Sequence, residues 1–323
     1  MRRRIFMKNL GLAALGTALC PASAVAGGST SEIRRVAVFS DLHIGHSWKG
    51  IDGADWFEAA LADIFWNVGP VSHAISLGDI THEGDRASFT RYKALRSASD
   101  IPRWFEIAGN HDHWNRGIRH YRRLLGSPGP YLHVDGNVAW FLVSTENSDC
   151  AGHISRKSIR WLERNLTRHS DKIRIVCTHQ PPYNTIRRSS ESDFCLHPRW
   201  KIRNLVKDRK IDLLLCGHEH HEPYAEGCLG SLGGTALVNA ASTSHAYGTG
   251  SSESLIIEFV EGGNVIRVRR RRHDTEAWAK EFEVEVPLET RISLKKAPRR
   301  PRAKGATARS WRGGRRRRTA PSR

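Results

Sequence analysis

A chain of 323 residues with 39% hydrophobic residues can fill a folded core, which excludes an intrinsically disordered protein. Its formal net charge of +18 is typical of a nucleic-acid-binding protein, but thirteen of the basic residues lie in 295–323 and four in 1–26. About +1 remains for residues 27–294, so the body of the chain is too nearly neutral to form a long basic groove. We therefore do not expect a nucleic-acid partner.

The first 26 residues have the three parts of a cleaved export signal. A basic start at 2–8 precedes an apolar stretch at 10–25, which ends in the small residues Ala24-Val25-Ala26. The arginine pair followed by x-Phe-Met-Lys resembles a twin-arginine signal, which exports folded proteins. The alternatives are an ordinary secretory signal and an uncleaved anchor, although the stretch is too short for a convincing membrane span. We expect an exported protein, periplasmic or extracellular.

Five short apolar runs between residues 36 and 216 predict buried strands, because polar residues or glycine bound each of them. Helix-like segments lie between the runs; in the last of them, Ile159, Leu162 and Leu166 recur at helical spacing. The predicted strands are Val36–Phe39, Ala74–Leu77, Trp104–Ala108, Ile173–Cys177 and Leu213–Cys216, and the predicted helices are Asp55–Asn67, Asp85–Ser97 and Ser155–His169.

Strands predominate in two other parts of the body. Residues 131–145 predict two strands that turn at Asp135-Gly136-Asn137. Alternating strands and helices followed by a second group of strands predict an α/β domain over residues 32–290, with two sheets packed face to face and helices outside them. The strand-like runs after His221 are Ala236–Ala240, Leu255–Val260, Val265–Val268 and Glu281–Val286, with a turn at Gly262-Gly263.

Residue types that bind metal ions follow each of the first five apolar runs. Sites in open α/β sheets form beyond the carboxyl ends of strands, so these five segments can converge. In an extended chain, residues i and i+2 point to the same side, which predicts that Asp41 and His43 face one site. The same spacing predicts this for His218 and His220. The five segments are Asp41-Leu42-His43, Gly78-Asp79, Gly109-Asn110-His111-Asp112, His179-Gln180-Pro181 and Gly217-His218-Glu219-His220.

This ordered set of motifs, from Asp41 to His220, resembles the calcineurin-like metallophosphoesterase family. The resemblance implies a four-layer α/β/β/α sandwich of two mixed sheets flanked by helices. It also implies hydrolysis of a small-molecule phosphate ester by a hydroxide that bridges two divalent metal ions. The motifs look closest to the small bacterial branch that includes cyclic-nucleotide and glycerophosphodiester phosphodiesterases.

The family pattern also implies a role for eight side chains. Nitrogen and oxygen ligands suit Mn, Fe or Zn and do not choose among them. His111 is the expected catalytic residue, which would give a proton to the leaving oxygen or stabilise its charge. The implied ligands of one ion are Asp41, His43, Asp79 and His220, and those of the other are Asp79, Asn110, His179 and His218, so that Asp79 bridges the two.

One position departs from the phosphoprotein phosphatase pattern G-D-x-x-D-R-G. His82 stands where that pattern has the aspartate that supports the catalytic histidine, which argues against a protein phosphatase. Asp112 is expected either to orient a neighbouring group or to pack beside the site. Segment 183–200 is either a lid that contacts substrate or a solvated loop. The histidines expected at the polar rim of the site are His46, His82, His113 and His221.

The cysteines leave their pairing open. Cys177 and Cys216 lie in strand-like runs and are expected to be buried thiols. In an oxidising compartment, Cys150, Cys195 and Cys228 allow one or two disulfides, with partners that the sequence cannot assign.

Residues 295–323 combine arginine with Pro, Gly, Ala and Ser and predict a disordered basic tail. The tail would contact an anionic surface or have no set function.

Two alternatives to a phosphodiesterase remain open. One is a phosphomonoesterase of the same fold, and the other is a surface-binding protein with this basic tail and a vestigial metal site. The H-E-x-x-H and G-x-S-x-G motifs of other hydrolases are absent from the sequence.

Overall fold

The computed structural model describes residues 32–220, 227–245 and 250–294; the predicted export signal, the basic tail and His221 lie outside them. The strands are β1 (Ile33–Phe39), β2 (Ser47–Trp48), β3 (Ile51–Asp52), β4 (His73–Ser76), β5 (Trp104–Glu106), β6 (Tyr131–Asp135), β7 (Val138–Val143), β8 (Ile173–Thr178), β9 (Leu213–Cys216), β10 (Leu229–Leu232), β11 (Thr235–Asn239), β12 (Glu253–Val260), β13 (Val265–Arg272) and β14 (Ala277–Pro287). The helices are α1 (Gly53–Asp63), α2 (Arg86–Ala98), α3 (Gly117–Leu124), α4 (Arg156–Arg168) and α5 (Arg199–Asp208).

Two six-stranded sheets form the centre of the protein. Sheet 1 has the order β14-β13-β12-β1-β4-β5, and sheet 2 has the order β10-β11-β9-β8-β7-β6. In sheet 1, β1, β4 and β5 are parallel and the other pairs are antiparallel. In sheet 2, β7, β8, β9 and β11 are parallel, and the edge strands β6 and β10 are antiparallel to their neighbours. Both sheets are therefore mixed.

The alternation of side chains along the strands builds four layers. Val36 and Ile75 of sheet 1 share a core with Ile175 and Leu213 of sheet 2, which places the two sheets face to face. Phe39, on the opposite face of sheet 1, packs with residues of α1, α2 and α3. The outer face of sheet 2 packs with residues of α4 and α5 in the same way. The predicted α/β/β/α sandwich is confirmed.

Polar caps set the beginnings of the three predicted helices. The side chains of Asp52, Asp85 and Ser155 each accept a hydrogen bond from a backbone N–H in the first turn of α1, α2 and α4. The sequence did not predict α3 and α5, because each is short and rich in basic residues, so only a few apolar residues mark its buried face. In the described ranges, no helix has the length and hydropathy to cross a membrane.

Candidate metal centre

The carboxyl ends of strands from the two sheets meet at one place. Nδ1 of His179, after β8, lies 2.8 Å from the carbonyl oxygen of Leu77, after β4; a carbonyl can only accept, so Nδ1 carries the proton. The backbone N–H of His218, after β9, donates to Oδ2 of Asp41, after β1, at 3.1 Å. Segments of sheet 1 and sheet 2 are thus linked directly where the predicted ligands lie.

Most of the predicted ligands have a left-handed backbone conformation, which residues other than glycine adopt only at some cost in free energy. The expectation that Asp41 with His43, and His218 with His220, are extended was wrong. Strand β1 ends at Phe39 and β9 at Cys216, and the chain then coils tightly. The positive φ angles are 53° at Asp41, 41° at His43, 49° at Asp79, 71° at His218 and 45° at His220.

A serine-rich segment after β11 holds the Asp41 turn in place. The hydroxyls of Ser242 and Ser244 both donate to the backbone carbonyl of Asp41, at 2.8 and 3.0 Å. The N–H of Thr243 donates to the carbonyl of Ser40 at 3.0 Å. These contacts offset a strained backbone that costs about 1–3 kcal/mol per residue in general. The sequence did not identify these serines, because a serine pair without regular spacing has no recognisable signature.

Asp41, His43 and His220 form the first ligand cluster. Nε2 of His220 lies 2.9 Å from Oδ1 of Asp41 and 3.1 Å from Nε2 of His43. One ligand atom from each residue lies within 4.8 Å of the others, as is required of groups that share one ion. Asp79 lies beside this cluster, with Oδ2 3.9 Å from Nε2 of His43.

Asp79, His179 and His218 form the second ligand cluster under the same distance criterion. Oδ2 of Asp79 lies 3.2 Å from Nε2 of His179. This oxygen therefore lies between His43 and His179, and Asp79 is placed to bridge the two clusters. Asn110 is fully buried next to them, and its Oδ1 accepts a hydrogen bond from Gln180 at 3.0 Å.

Two buried polar atoms lack hydrogen-bond partners among the described residues: Nε2 of His218 in the second cluster and Nδ2 of the neighbouring Asn110. Unpartnered buried polar groups are rare, since each costs about 1–3 kcal/mol. Imidazoles and carboxylates around such atoms are a donor set that Zn, Mn or Fe accepts. The residues present therefore fit a metal ion, and the structure brings together all seven predicted ligands.

The buried carboxylates of Asp41 and Asp79 attract positive charge to the two ligand clusters. Burial alone would lower the pKa of His179, but Asp79 and Asp41 raise it to about 9. Burial and the nearby His179 lower the pKa of His218 to about 3, so that this imidazole is neutral and able to bind a metal. Burial opposes ionisation of Asp41, yet His220 and His179 keep its pKa below the usual range. The field thus favours a cation between the clusters.

His111 lies at the edge of the two ligand clusters and is almost fully buried. Its Nδ1 lies 2.7 Å from the backbone carbonyl of His82, so Nδ1 carries a proton and Nε2 is the atom free to exchange one. Nε2 lies 4.0 Å from Oδ2 of Asp79. The ring packs against Trp114 at a centroid distance of 4.1 Å. A backbone carbonyl thus orients His111 where phosphoprotein phosphatases use an aspartate.

His82 and Asp112 are structural neighbours of the site with different surroundings. His82 is partly exposed, as a rim residue should be, and its Nδ1 lies 3.3 Å from Nδ1 of His43. Asp112 accepts backbone N–H groups from Ile80, Thr81 and Gly109, at 3.0–3.2 Å. It therefore fixes the loops of Asp79 and Asn110 to one another. Burial and the neighbouring Asp79 raise the pKa of Asp112 to about 7.

Two glycines allow the loops of the site to approach closely. A Cβ at Gly109 would overlap Oδ1 of Asp79, and a Cβ at Gly217 would overlap Oγ of Ser40. The backbone conformations at Gly109 and Gly217 are accessible to any residue, so space and not φ requires glycine there. The G-N-H-D and G-H-x-H motifs thus begin with glycine for a steric reason.

Segment 183–200 lies beside the second cluster and is not a freely solvated loop. The Phe194 ring lies 5.8 Å from that of His218, and the Arg188 guanidinium stacks over Phe194 at 3.5 Å. Nε of Arg188 lies 4.0 Å from Oε2 of Glu219. Burial raises the pKa of the Glu219 carboxyl to about 8. The segment forms a wall of the site with a cation on it.

The surroundings of His113, His46 and the cysteines can be compared with what the sequence predicted. His113 points away from the site, with Nε2 2.8 Å from the carbonyl of Thr145. His46 stacks on His82 at a centroid distance of 4.3 Å and is partly exposed, as a rim residue should be. The disulfides that the sequence allowed are not formed, since all five cysteines in the described ranges are free thiols; Cys177 and Cys216 are buried as predicted.

Comparison with known proteins gives a family model described as calcineurin-like phosphoesterase, which matches residues 34–222. An uncharacterised protein of Mycobacterium tuberculosis is 31% identical over 164 residues, 43% of this chain and 30% of that protein. Tartrate-resistant acid phosphatase type 5 of Mus musculus is 22% identical over 195 residues, 51% of this chain and 57% of that protein. The protein named probable glycerophosphodiester phosphodiesterase GpdQ of Arcobacter nitrofigilis is 23% identical over 160 residues, 45% and 55% of the two chains.

This chain spans between 30% and 57% of the length of these curated relatives. Among solved structures, purple acid phosphatase PPD1 of yellow lupin superposes with a TM-score of 0.58 at 12% identity. The superposition covers 85% of this chain and 58% of the lupin chain, and it supports the fold alone.

Proposed function

Since this chain belongs to the calcineurin-like phosphoesterase family, we propose that it is a two-metal phosphodiesterase acting on cyclic-nucleotide or glycerophosphodiester substrates. The family implies a hydrolase of phosphate esters that depends on divalent metal ions. The observation that carries the two-metal proposal is the position of Asp79, whose Oδ2 lies 3.9 Å from His43 of one cluster and 3.2 Å from His179 of the other. The relative named as a glycerophosphodiester phosphodiesterase supports the diester preference.

Three members of each predicted ligand set lie in one cluster, which supports the proposed assignment of ligands. Divalent ions bound there would activate water and stabilise the charge that develops on phosphorus oxygens during in-line displacement. The only carboxylates among the proposed ligands are Asp41 and Asp79, so two divalent ions would leave the site positive and attractive to a phosphate ester. The first ion would be held by Asp41, His43, Asp79 and His220, and the second by Asp79, Asn110, His179 and His218.

The protein's own residues bind and orient the substrate and transfer the proton. His111 holds its Nδ1 proton on the carbonyl of His82, which directs Nε2 towards the site. With both ring nitrogens protonated, His111 would give the Nε2 proton to the leaving oxygen and become a neutral imidazole that keeps its Nδ1 proton, a contribution worth about 10²–10⁴-fold in rate. Arg188 adds a positive charge on the wall formed by segment 183–200, where the part of the substrate beyond the phosphate would lie.

A substrate panel with chelated and metal-reconstituted protein tests this function. We expect hydrolysis of bis(p-nitrophenyl) phosphate that a chelator abolishes and that Mn or Zn restores. We also expect glycerophosphodiesters or cyclic nucleotides to be cleaved faster than phosphomonoesters. Faster cleavage of phosphomonoesters would favour the alternative, a phosphatase of the same fold, which the acid phosphatase relative supports. Hydrolysis that survives complete chelation would contradict the metal-dependent function itself.

We propose further that residues 1–26 export the protein and that residues 295–323 attach it to an anionic surface. The support is the sequence pattern of each segment, since both lie outside the described residues. A chain lacking 295–323 is expected to lose sedimentation with anionic vesicles and to retain its full rate of hydrolysis. A tail-deleted chain that still sediments would exclude the attachment role. Loss of hydrolysis along with attachment would show that the tail serves catalysis.

A further inference from the structure

We propose a separate metal site, for an ion such as Zn²⁺ that prefers imidazole ligands, formed by His73, His133 and Asp135 between the two sheets. One ligand atom from each of these residues lies within 4.8 Å of the others. His73 begins β4, whereas the candidate ligand Asp79 follows the opposite end of that strand. The cluster is therefore distinct from the candidate metal centre and independent of the function proposed for it.

The strand pattern explains how these residues meet. His133 and Asp135 are two positions apart on β6 and share the face that Tyr131 turns to the core between the sheets. His73 lies on the inner face of β4, two positions before the core residue Ile75. The rings of His73 and His133 lie 5.3 Å apart, and Phe105 stacks on His133 at 4.3 Å. The cluster thus joins a strand of sheet 1 to a strand of sheet 2.

The tautomer of His73 leaves a ligand atom directed into the cluster. Oγ of Ser72 donates its single proton to the carbonyl of Arg35 at 3.0 Å. The same oxygen lies 3.0 Å from Nδ1 of His73; with its own proton on the carbonyl it accepts the Nδ1 proton, and Nε2 carries a lone pair. His73 is only 2% exposed, and its Nε2 has no hydrogen-bond partner among the described residues. In metal sites a ligating histidine donates its other ring N–H to a neighbouring acceptor, which fixes the tautomer and the ring orientation; Oγ of Ser72 is placed to be that acceptor.

Charge and space around the cluster fit one bound ion. Burial lowers the pKa of His73 to about 3 and also lowers that of His133, so both rings are neutral and able to act as ligands near neutral pH. Oδ2 of Asp135 pairs with Arg34 at 2.5 Å, and the carboxylate has a second oxygen. Arg34 also pairs with Glu32, which offsets part of its positive charge. Three protein ligands with one water would complete a tetrahedral zinc site.

The rival occupant is a single water molecule. A cavity of about 10 Å³ adjoins His73 and is lined by Asp135 and Trp140 as well as Arg34. That volume suits one water, which could also satisfy Nε2 of His73. The two occupants differ in electron density, in metal content and in their effect on stability, so experiment can separate them.

Metal analysis of full-length protein dialysed against Zn²⁺ tests the proposal. We expect His133→Ala to bind one zinc fewer per chain than the wild type, and His120→Ala, the control on α3, to bind the same number. His120 is partly buried and belongs to none of the clusters found in the described residues. Zinc should also raise the melting temperature of the wild type by about 5 °C more than that of His133→Ala. Equal zinc content in the wild type and His133→Ala would overturn the proposal.

Crystals of the wild type soaked in Zn²⁺ provide a test that does not depend on the folding of a variant. An anomalous peak within bonding distance of His73, His133 and Asp135 is expected, in addition to any peaks at the candidate metal centre. Density at this position without an anomalous signal would identify a water molecule and exclude the site.

Discussion

Asp79→Asn is expected to remove bound metal and to lower the rate of bis(p-nitrophenyl) phosphate hydrolysis at least about 10³-fold. This loss corresponds to several kcal/mol of transition-state stabilisation. The reason is that Oδ2 of Asp79 faces both ligand clusters. An amide of the same shape keeps the packing but carries no negative charge. Metal content per chain, measured after dialysis against Mn or Zn, should fall from two ions in the candidate centre to one or none.

The control for Asp79→Asn is Asp171→Asn, which makes the same chemical change at an exposed position paired with Lys172. It should retain the metal content and rate of the wild type. Circular dichroism of both variants separates loss of metal from loss of fold. Full activity in Asp79→Asn would refute the two-metal proposal, because Asp79 is the carboxylate proposed to be shared by the two ions.

His111→Gln is expected to lower turnover by about 10²–10⁴-fold while metal content stays at the wild-type value. Glutamine can still donate a hydrogen bond but cannot transfer a proton at neutral pH. The loss should be larger for a substrate with an alkyl leaving group than for bis(p-nitrophenyl) phosphate, because an alkoxide needs a proton more than nitrophenolate does. Turnover and KM measured with both substrates check the prediction.

Two outcomes would count against this role for His111. A uniform loss with both leaving groups would indicate that the residue positions the substrate without transferring a proton. A parallel loss of metal would indicate that the His111 side chain helps to hold the centre together. The control His120→Gln, on α3 away from the clusters, should change neither quantity.

The sequence predicted the strands, and it placed the candidate site residues directly after them, because each motif follows an apolar run that is typical of a buried strand. It did not predict the local backbone. Whether a residue after a strand remains extended or turns left-handed, as Asp41 does, depends on partners such as Ser242 and Ser244 that lie far along the chain. The intrinsic secondary-structure propensity of a residue carries little information about such long-range contacts.

The sequence was also silent on groups that gain meaning only when two sheets pack. His73 and His133 are single histidines in separate strands, with no spacing that links them. The cysteines show the same dependence on the fold. An oxidising compartment and the number of cysteines allowed disulfides, whereas the fold leaves all five cysteines in the described ranges as thiols. Pairing of residues across layers depends on three-dimensional distance, which local patterns do not contain.

The central position of β1 has a consequence for how the protein is made. Val38 of β1 pairs with Leu255 of β12, and Ser242 and Ser244 hold the turn that follows β1. Such contacts close only after most of the domain has left the ribosome, and folds dominated by them form slowly. The nascent chain therefore presents its histidines and aspartates without the finished geometry, and selective uptake of ions has to wait until synthesis has passed β12.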